Sequence, residues 1–137
     1  MKKVILYTLL SFVVSCANKD DYFDGSQGQL LSQWKLIAMY TDPGDGSGDF
    51  EPVSSNKTVS FYSDHVIASN GDLCIMGTNT TNGSFGSYTM GSSNTITPSS
   101  CAVDLPFGIT YTINNSTLIL YYPCIEACAE KYELIEQ

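Results

Sequence analysis

What most limits the folds open to this chain is its punctuation. From residue 30 onward no stretch of helix length carries apolar residues at helical spacing. Short runs of β-branched and aromatic residues are instead cut at close intervals by Gly, Ser, Asn and Asp. Such runs, apolar on alternate residues and bounded by turn formers, are the pattern of half-buried strands. The clearest covers residues 107–113, where Phe107, Ile109, Tyr111 and Ile113 alternate with Gly108, Thr110 and Thr112. The fold class expected is all-β.

Further strands are expected over residues 34–40, with Trp34, Leu36, Ala38 and Tyr40 on one face, and over 58–62, 65–69, 85–90, 94–97, 117–122 and 128–135. Residues 73–76 are read as an extension of the 65–69 strand, and 77–84 as a polar loop. Turns at Ser63-Asp64, Gly91-Ser92-Ser93 and Asn114-Asn115 join consecutive strands as hairpins. The result is an antiparallel up-and-down meander of about eight strands, closing into a small barrel because closure removes sticky edges. Closure makes the first and last strands neighbours. It therefore places Trp34 at the closed end under the final strand, nearest Lys131 or Tyr132.

The N-terminus reads differently. Lys2 and Lys3 precede an apolar stretch from Val4 to Val14, then Ser15 and Cys16. A basic start, a short apolar core and a small residue before a cleavage point make a secretory signal. The stretch is shorter than the roughly 20 apolar residues that span a bilayer. The chain thus divides into a signal peptide (1–15), an acidic flexible tether (16–29) and a β-domain (30–137). The run Val13-Val14-Ser15-Cys16 resembles the lipobox of bacterial lipoproteins. That resemblance implies acylation of Cys16, palmitate included, and anchoring to a membrane through it. Asp20, Asp21 and Asp24 just behind Cys16 resemble the surface-export signals of Bacteroidetes lipoproteins, which implies an outer-membrane, surface-exposed location.

Acids outnumber basic residues 14 to 6, for a formal charge of −8, and no residue is Arg. Backbone phosphates are neutralised by Lys and Arg, so nucleic acid is not an expected partner. Apart from Cys16 there are Cys74, Cys101, Cys124 and Cys128. An even count in an exported domain reads as two disulfides, of which three connectivities are possible. The alternative, a Cys₄ zinc site, needs paired short spacings, and only Cys124 and Cys128 are close in sequence. The pairing expected is Cys124–Cys128 across a short turn, leaving Cys74–Cys101.

Asp42, Asp45 and Asp49 lie in a Gly-rich loop, but not at the spacing of a calcium loop, so a solvated loop is expected. His65, the single histidine, is expected to be exposed at a strand start. Glu126 and Glu130 are read as solvated hairpin acids. No catalytic constellation, metal site or cofactor is expected, and the chain is read as non-enzymatic.

The order of a Leu-Ser-Gln-Trp-Lys-Leu start, a Gly/Asp loop, a strand-turn-strand and a Cys-Ile-Glu-Ala-Cys-Ala-Glu-Lys-Tyr ending resembles the lipocalin-like lipoproteins of the Bacteroidetes group. Ser32-Gln33-Trp34 stands where lipocalins carry Gly-x-Trp, and Lys131 is the only cation where they place an Arg on the last strand. The resemblance implies a barrel able to hold one small apolar ligand. Its pocket, or alternatively its filled core, would be built from Trp34, Phe61, Phe85, Tyr88, Phe107, Tyr111, Tyr121 and Tyr132. Two functions are therefore expected: a carrier of a small hydrophobic ligand, or a structural or adaptor lipoprotein with a filled barrel that meets a partner protein through its loops.

Overall fold

The computed structural model describes residues 28, 30–102 and 108–135. Nine strands follow in chain order: β1 (Gln33–Thr41), β2 (Phe50–Pro52), β3 (Thr58–Phe61), β4 (Val66–Ser69), β5 (Ser84–Thr89), β6 (Thr95–Pro98), β7 (Ile109–Asn114), β8 (Thr117–Tyr122) and β9 (Cys128–Leu134). All pairings are antiparallel, from β3 to β9 in sequence order. β1 pairs with both β3 and β9, so eight strands close into a barrel. No helix among the described residues is long and apolar enough to cross a membrane.

The ninth strand, β2, has no counterpart in the sequence reading. β3 takes the first half of one β1 edge, pairing Lys35 with Thr58, and β2 takes the second half, pairing Tyr40 with Phe50. Residues 53–57 step between them, tied by Val53 N–H to the Ile37 carbonyl (2.9 Å) and by Leu36 N–H to the Lys57 carbonyl (2.9 Å). Three residues ending in Pro make a short, blunt edge, which resists pairing with other chains.

β1 also departs from simple alternation. The register against β9 slips between Leu36 and Ala38, a β-bulge at Ile37. An extra residue turns every later side chain to the opposite face. Trp34 and Leu36 point into the barrel. Beyond the bulge Met39 packs against the core and Tyr40 lies outside against Phe50, ring centres 5.5 Å apart. The expected common face for Trp34, Leu36, Ala38 and Tyr40 therefore ends at Leu36: Ala38 stands opposite the outward Lys131, and Tyr40 lies outside.

Trp34 is fully buried, and its register partners are Val59 on β3 and Leu134 on β9. Tyr132 lies one inward step away, opposite Leu36, and Lys131 faces outward with Nζ 4.9 Å from the Phe50 ring centre. Of the two expected neighbours, Tyr132 shares the buried core with Trp34, and Lys131 is turned outward. Residues 73–76 form no strand. Leu73 instead turns inward and is buried in the core.

Two hairpin turns use residues at positive φ, His65 (62°) and Asn115 (51°). Asn tolerates the left-handed region because its short amide bonds locally. His65 is exposed, as its place after Ser63-Asp64 suggests.

Candidate functional site

The barrel interior is lined by alternating residues of all eight closing strands. Phe61, Tyr88 and Tyr111 meet at one end, with ring centres 5.0 Å (Phe61–Tyr88) and 5.5 Å (Phe61–Tyr111) apart. Each buried phenol finds a backbone acceptor: Tyr88 donates to the Tyr62 carbonyl (2.7 Å) and Tyr111 to the Thr89 carbonyl (2.9 Å). Burial raises the Tyr111 pKa from 10.0 to about 12, with Tyr88 adding to the shift. Leu36, Val59, Ile67, Leu73, Ile96, Ile109, Leu118 and Leu120 fill the rest.

Of the rings expected to line this space, Trp34, Phe61, Tyr88, Tyr111 and Tyr132 are inside. Phe85 and Tyr121 are outside, 61% and 41% exposed. The strand period explains both. On β5 the inward residues are Gly86 and Tyr88, and on β8 they are Leu118, Leu120 and Tyr122. Residues an odd number of positions apart on a regular strand cannot share a face. Phe107 and Cys16 lie outside the described residues.

The opposite end holds the feature that sequence reading missed. Glu130, expected to be a solvated hairpin acid, is fully buried, and Lys57 is 1% exposed. Lys57 Nζ donates to both Glu130 oxygens, at 2.9 and 3.1 Å. Glu130 Oε2 also accepts the Tyr122 phenol (2.7 Å) and the Tyr132 phenol (2.5 Å), and Oε1 accepts the Gly77 N–H (2.8 Å). Burial holds both phenols well above the ordinary tyrosine pKa, with Glu130 adding to it at Tyr122 and Tyr122, then Glu130, adding to it at Tyr132. Neither phenol ionises near neutral pH, and both remain donors. A buried ion pair is tolerable when its remaining lone pairs are satisfied in this way. Glu126, by contrast, is exposed as expected.

Topology explains why Glu130 is inside. Along β9, Cys128, Glu130 and Tyr132 share the inward face, and Glu130 stands opposite Leu120 and Met39. The sequence signal was the alternation itself, which places an acid on the buried phase of the last strand. It was overlooked because acids are rarely buried unless paired, and the partner, Lys57, lies 73 residues away in sequence.

Residues 70–83 cover this polar end and are fixed at several points. Asn70 receives Thr58 N–H (2.8 Å) and donates to the Asn56 carbonyl (2.8 Å). Ser84 Oγ accepts Leu73 N–H (2.8 Å) and donates to the Gly71 carbonyl (2.9 Å). Gly71 must be small: a Cβ there would lie 2.5 Å from the Asn79 carbonyl and 3.1 Å from Lys57 Cγ. Cys74 bonds to Cys101 and Cys124 to Cys128, with Cα separations of 5.5 and 6.0 Å. Both pairings match the expectation.

Among the hollows on the surface of the described residues, three bear on the site. One of about 230 Å³ opens at the polar end, with Lys57, Asp72, Met76 and Asn82 in its wall. One of about 260 Å³ runs along the outer ridge of Tyr40, Phe50 and Tyr121. The third, about 480 Å³, follows the step between β2 and β3 beside Lys35. In the Gly/Asp loop, Asp42 Oδ1 accepts Gly44 N–H (2.7 Å) and Gly46 N–H (3.1 Å), and Oδ2 accepts the Tyr40 phenol (3.1 Å). Those backbone donors lower the Asp42 pKa, and the bond to Asp42 raises that of Tyr40. Asp42 thus organises its own loop. Among the described residues no three His, Cys, Asp or Glu side chains converge as a metal site would require.

Comparison with protein-family models, with curated proteins and with solved structures finds no match to this chain.

Proposed function

We propose that this protein is a lipid-anchored, non-enzymatic module of the cell envelope that recognises its partner through loops and outer surface, with its barrel interior given over to stability. The observation that carries this reading is the occupied interior. At one end the space is taken by Phe61, Tyr88, Tyr111 and Trp34, and at the other by Leu73 and the Lys57–Glu130 pair. Small eight-stranded barrels are often filled by their own side chains, whereas those that carry ligands leave a cavity. The carrier reading, with a small hydrophobic ligand inside the barrel, would require Leu73 and its loop to withdraw and would set an apolar molecule against a buried charge pair. Anchoring through acylated Cys16, outer-membrane location and kinship with lipocalin-like lipoproteins belong to the same proposal and rest on the N-terminal sequence pattern and the barrel form.

Two experiments test it. Cys16→Ser is expected to move the protein from the membrane pellet to the soluble fraction; a variant still pelleting in high salt would contradict the anchor. Purified Cys16→Ser protein, extracted with organic solvent, is expected to yield no lipid in stoichiometric amount. One lipid per chain would reinstate the carrier.

A further inference from the structure

We infer that the hollow at the polar end of the barrel is a binding site for one neutral polyhydroxyl unit, a single sugar ring or similar polyol. The inference rests on the loop-recognition reading and names a ligand class for one loop, residues 70–83.

The floor of the hollow offers complementary, unspent hydrogen-bonding capacity. A lysine ammonium carries three donors. Lys57 Nζ places its described bonds on the two Glu130 oxygens alone, and its side chain lines the hollow while being 1% exposed. One N–H is thus left over in a buried position, where an unmet donor is costly. Asp72, half-buried in the same wall, uses Oδ1 to accept Cys74 N–H (2.7 Å), and its Oδ2 has no partner among the described residues. The rim adds the amides of Asn79 and Asn82 beside the apolar Ile75 and Met76.

Charge selects among ligands. Lys57 is already neutralised by Glu130, and Asp72 adds a second carboxylate close enough to raise the Tyr122 pKa further. The cluster therefore carries one excess negative charge, which disfavours an anion. A hydroxyl both accepts and donates. Adjacent hydroxyls on a ring can accept from Lys57, donate to Asp72 and leave ring C–H groups against Ile75 and Met76. At about 230 Å³ the hollow is smaller than the roughly 300 Å³ of typical drug-sized sites, which suits a single ring. It is also pre-shaped, because the Cys74–Cys101 disulfide and the Gly77 bond to Glu130 hold the loop, and pre-organisation lowers the ordering cost of binding.

The test is a titration of the full chain, in a detergent without a sugar headgroup, with methyl glucoside, methyl galactoside and methyl mannoside. Methyl glucuronide and glycine serve as anionic and zwitterionic comparators. At least one neutral glycoside is expected to bind one per chain. Asp72→Asn keeps an oxygen for Cys74 N–H while removing the charge, and is expected to weaken that binding about tenfold, the size of one charged hydrogen bond, with Tm unchanged. Asn82→Ala, on the exposed rim, is expected to weaken it without touching the core. Absence of binding by every neutral glycoside, preference for glucuronide or glycine, or affinity unaffected by Asp72→Asn and Asn82→Ala would each overturn the inference. These failures concern one loop, whereas stoichiometric lipid in the barrel would overturn the filled-interior reading itself.

Discussion

The two ends of this barrel are closed by opposite chemistry. One is a cluster of rings whose phenols reach out to backbone carbonyls at the margin. The other is a carboxylate that gathers an ammonium, two phenols and one backbone N–H under a tied-down loop. The ring end is built mainly from apolar surface that gains by leaving water, a gain roughly proportional to area and not to a particular partner. The polar end is stable only as a complete set, because every member is costly to bury alone. That difference bears on the loop, since Glu130 holds residues 70–83 at Gly77, and on recognition, since the same loop carries the proposed sugar site.

The largest effects are expected from single truncations at either end, and they differ in how they can be repaired. Glu130→Ala leaves a buried ammonium uncompensated and is expected to cost about 3–5 kcal/mol by denaturant titration. Trp34→Ala is expected to cost a similar ~3–5 kcal/mol through its cavity. Lys57→Met combined with Glu130→Leu is expected to lose about 1–3 kcal/mol less than the two single changes added together, because no lone charge remains. Trp34→Ala has no rescuing partner of that kind. Strict additivity at Lys57 and Glu130 would break the comparison.

The disulfides sharpen it at the next level down. Cys74–Cys101 spans 27 residues and ties the loop over the polar end, whereas Cys124–Cys128 spans 4. Replacing the first pair with Ser is expected to cost about 3 kcal/mol and the second about 2 kcal/mol or less, on loop-closure entropy. The first replacement should also speed amide exchange at residues 70–83. Equal exchange in both variants would mean that Glu130 alone secures the loop.

The smallest effect is a pH dependence at the ring end. The folded Tyr111 pKa is raised to about 12 from 10.0, so the unfolded chain releases this proton first as pH rises. Its contribution is complete below about pH 10 and is lost as pH climbs from there through about 12. Tyr111→Phe should flatten part of the alkaline decline seen in Tm. An identical decline in the variant would assign the effect to Tyr122 and Tyr132.

The same contrast explains what was legible beforehand. The ring end could be read from alternation: the strands around Trp34, Tyr88, Ile109 and Leu118, the meander and its closure all follow from a period of two and turn residues. Errors arose where the period was broken or miscounted, at the Ile37 bulge and at Phe85 and Tyr121. Both disulfides were legible because Cys124 and Cys128 flank a short turn, which leaves Cys74 to pair with Cys101. The polar end was not legible, because Lys57, Gly77, Tyr122, Glu130 and Tyr132 are brought together by register alone. Nothing local marks a lysine in a polar loop as the partner of an acid on the last strand.

The central claim is that the barrel interior belongs to its own side chains. Trp34 is the single tryptophan and lies wholly inside, so its fluorescence reports on that space without a label. Titration with a long-chain fatty acid is expected to leave its emission maximum and intensity unchanged at concentrations well above that of the protein. A saturable change reaching completion at one fatty acid per chain would show that the interior opens to an apolar ligand, and would contradict the account.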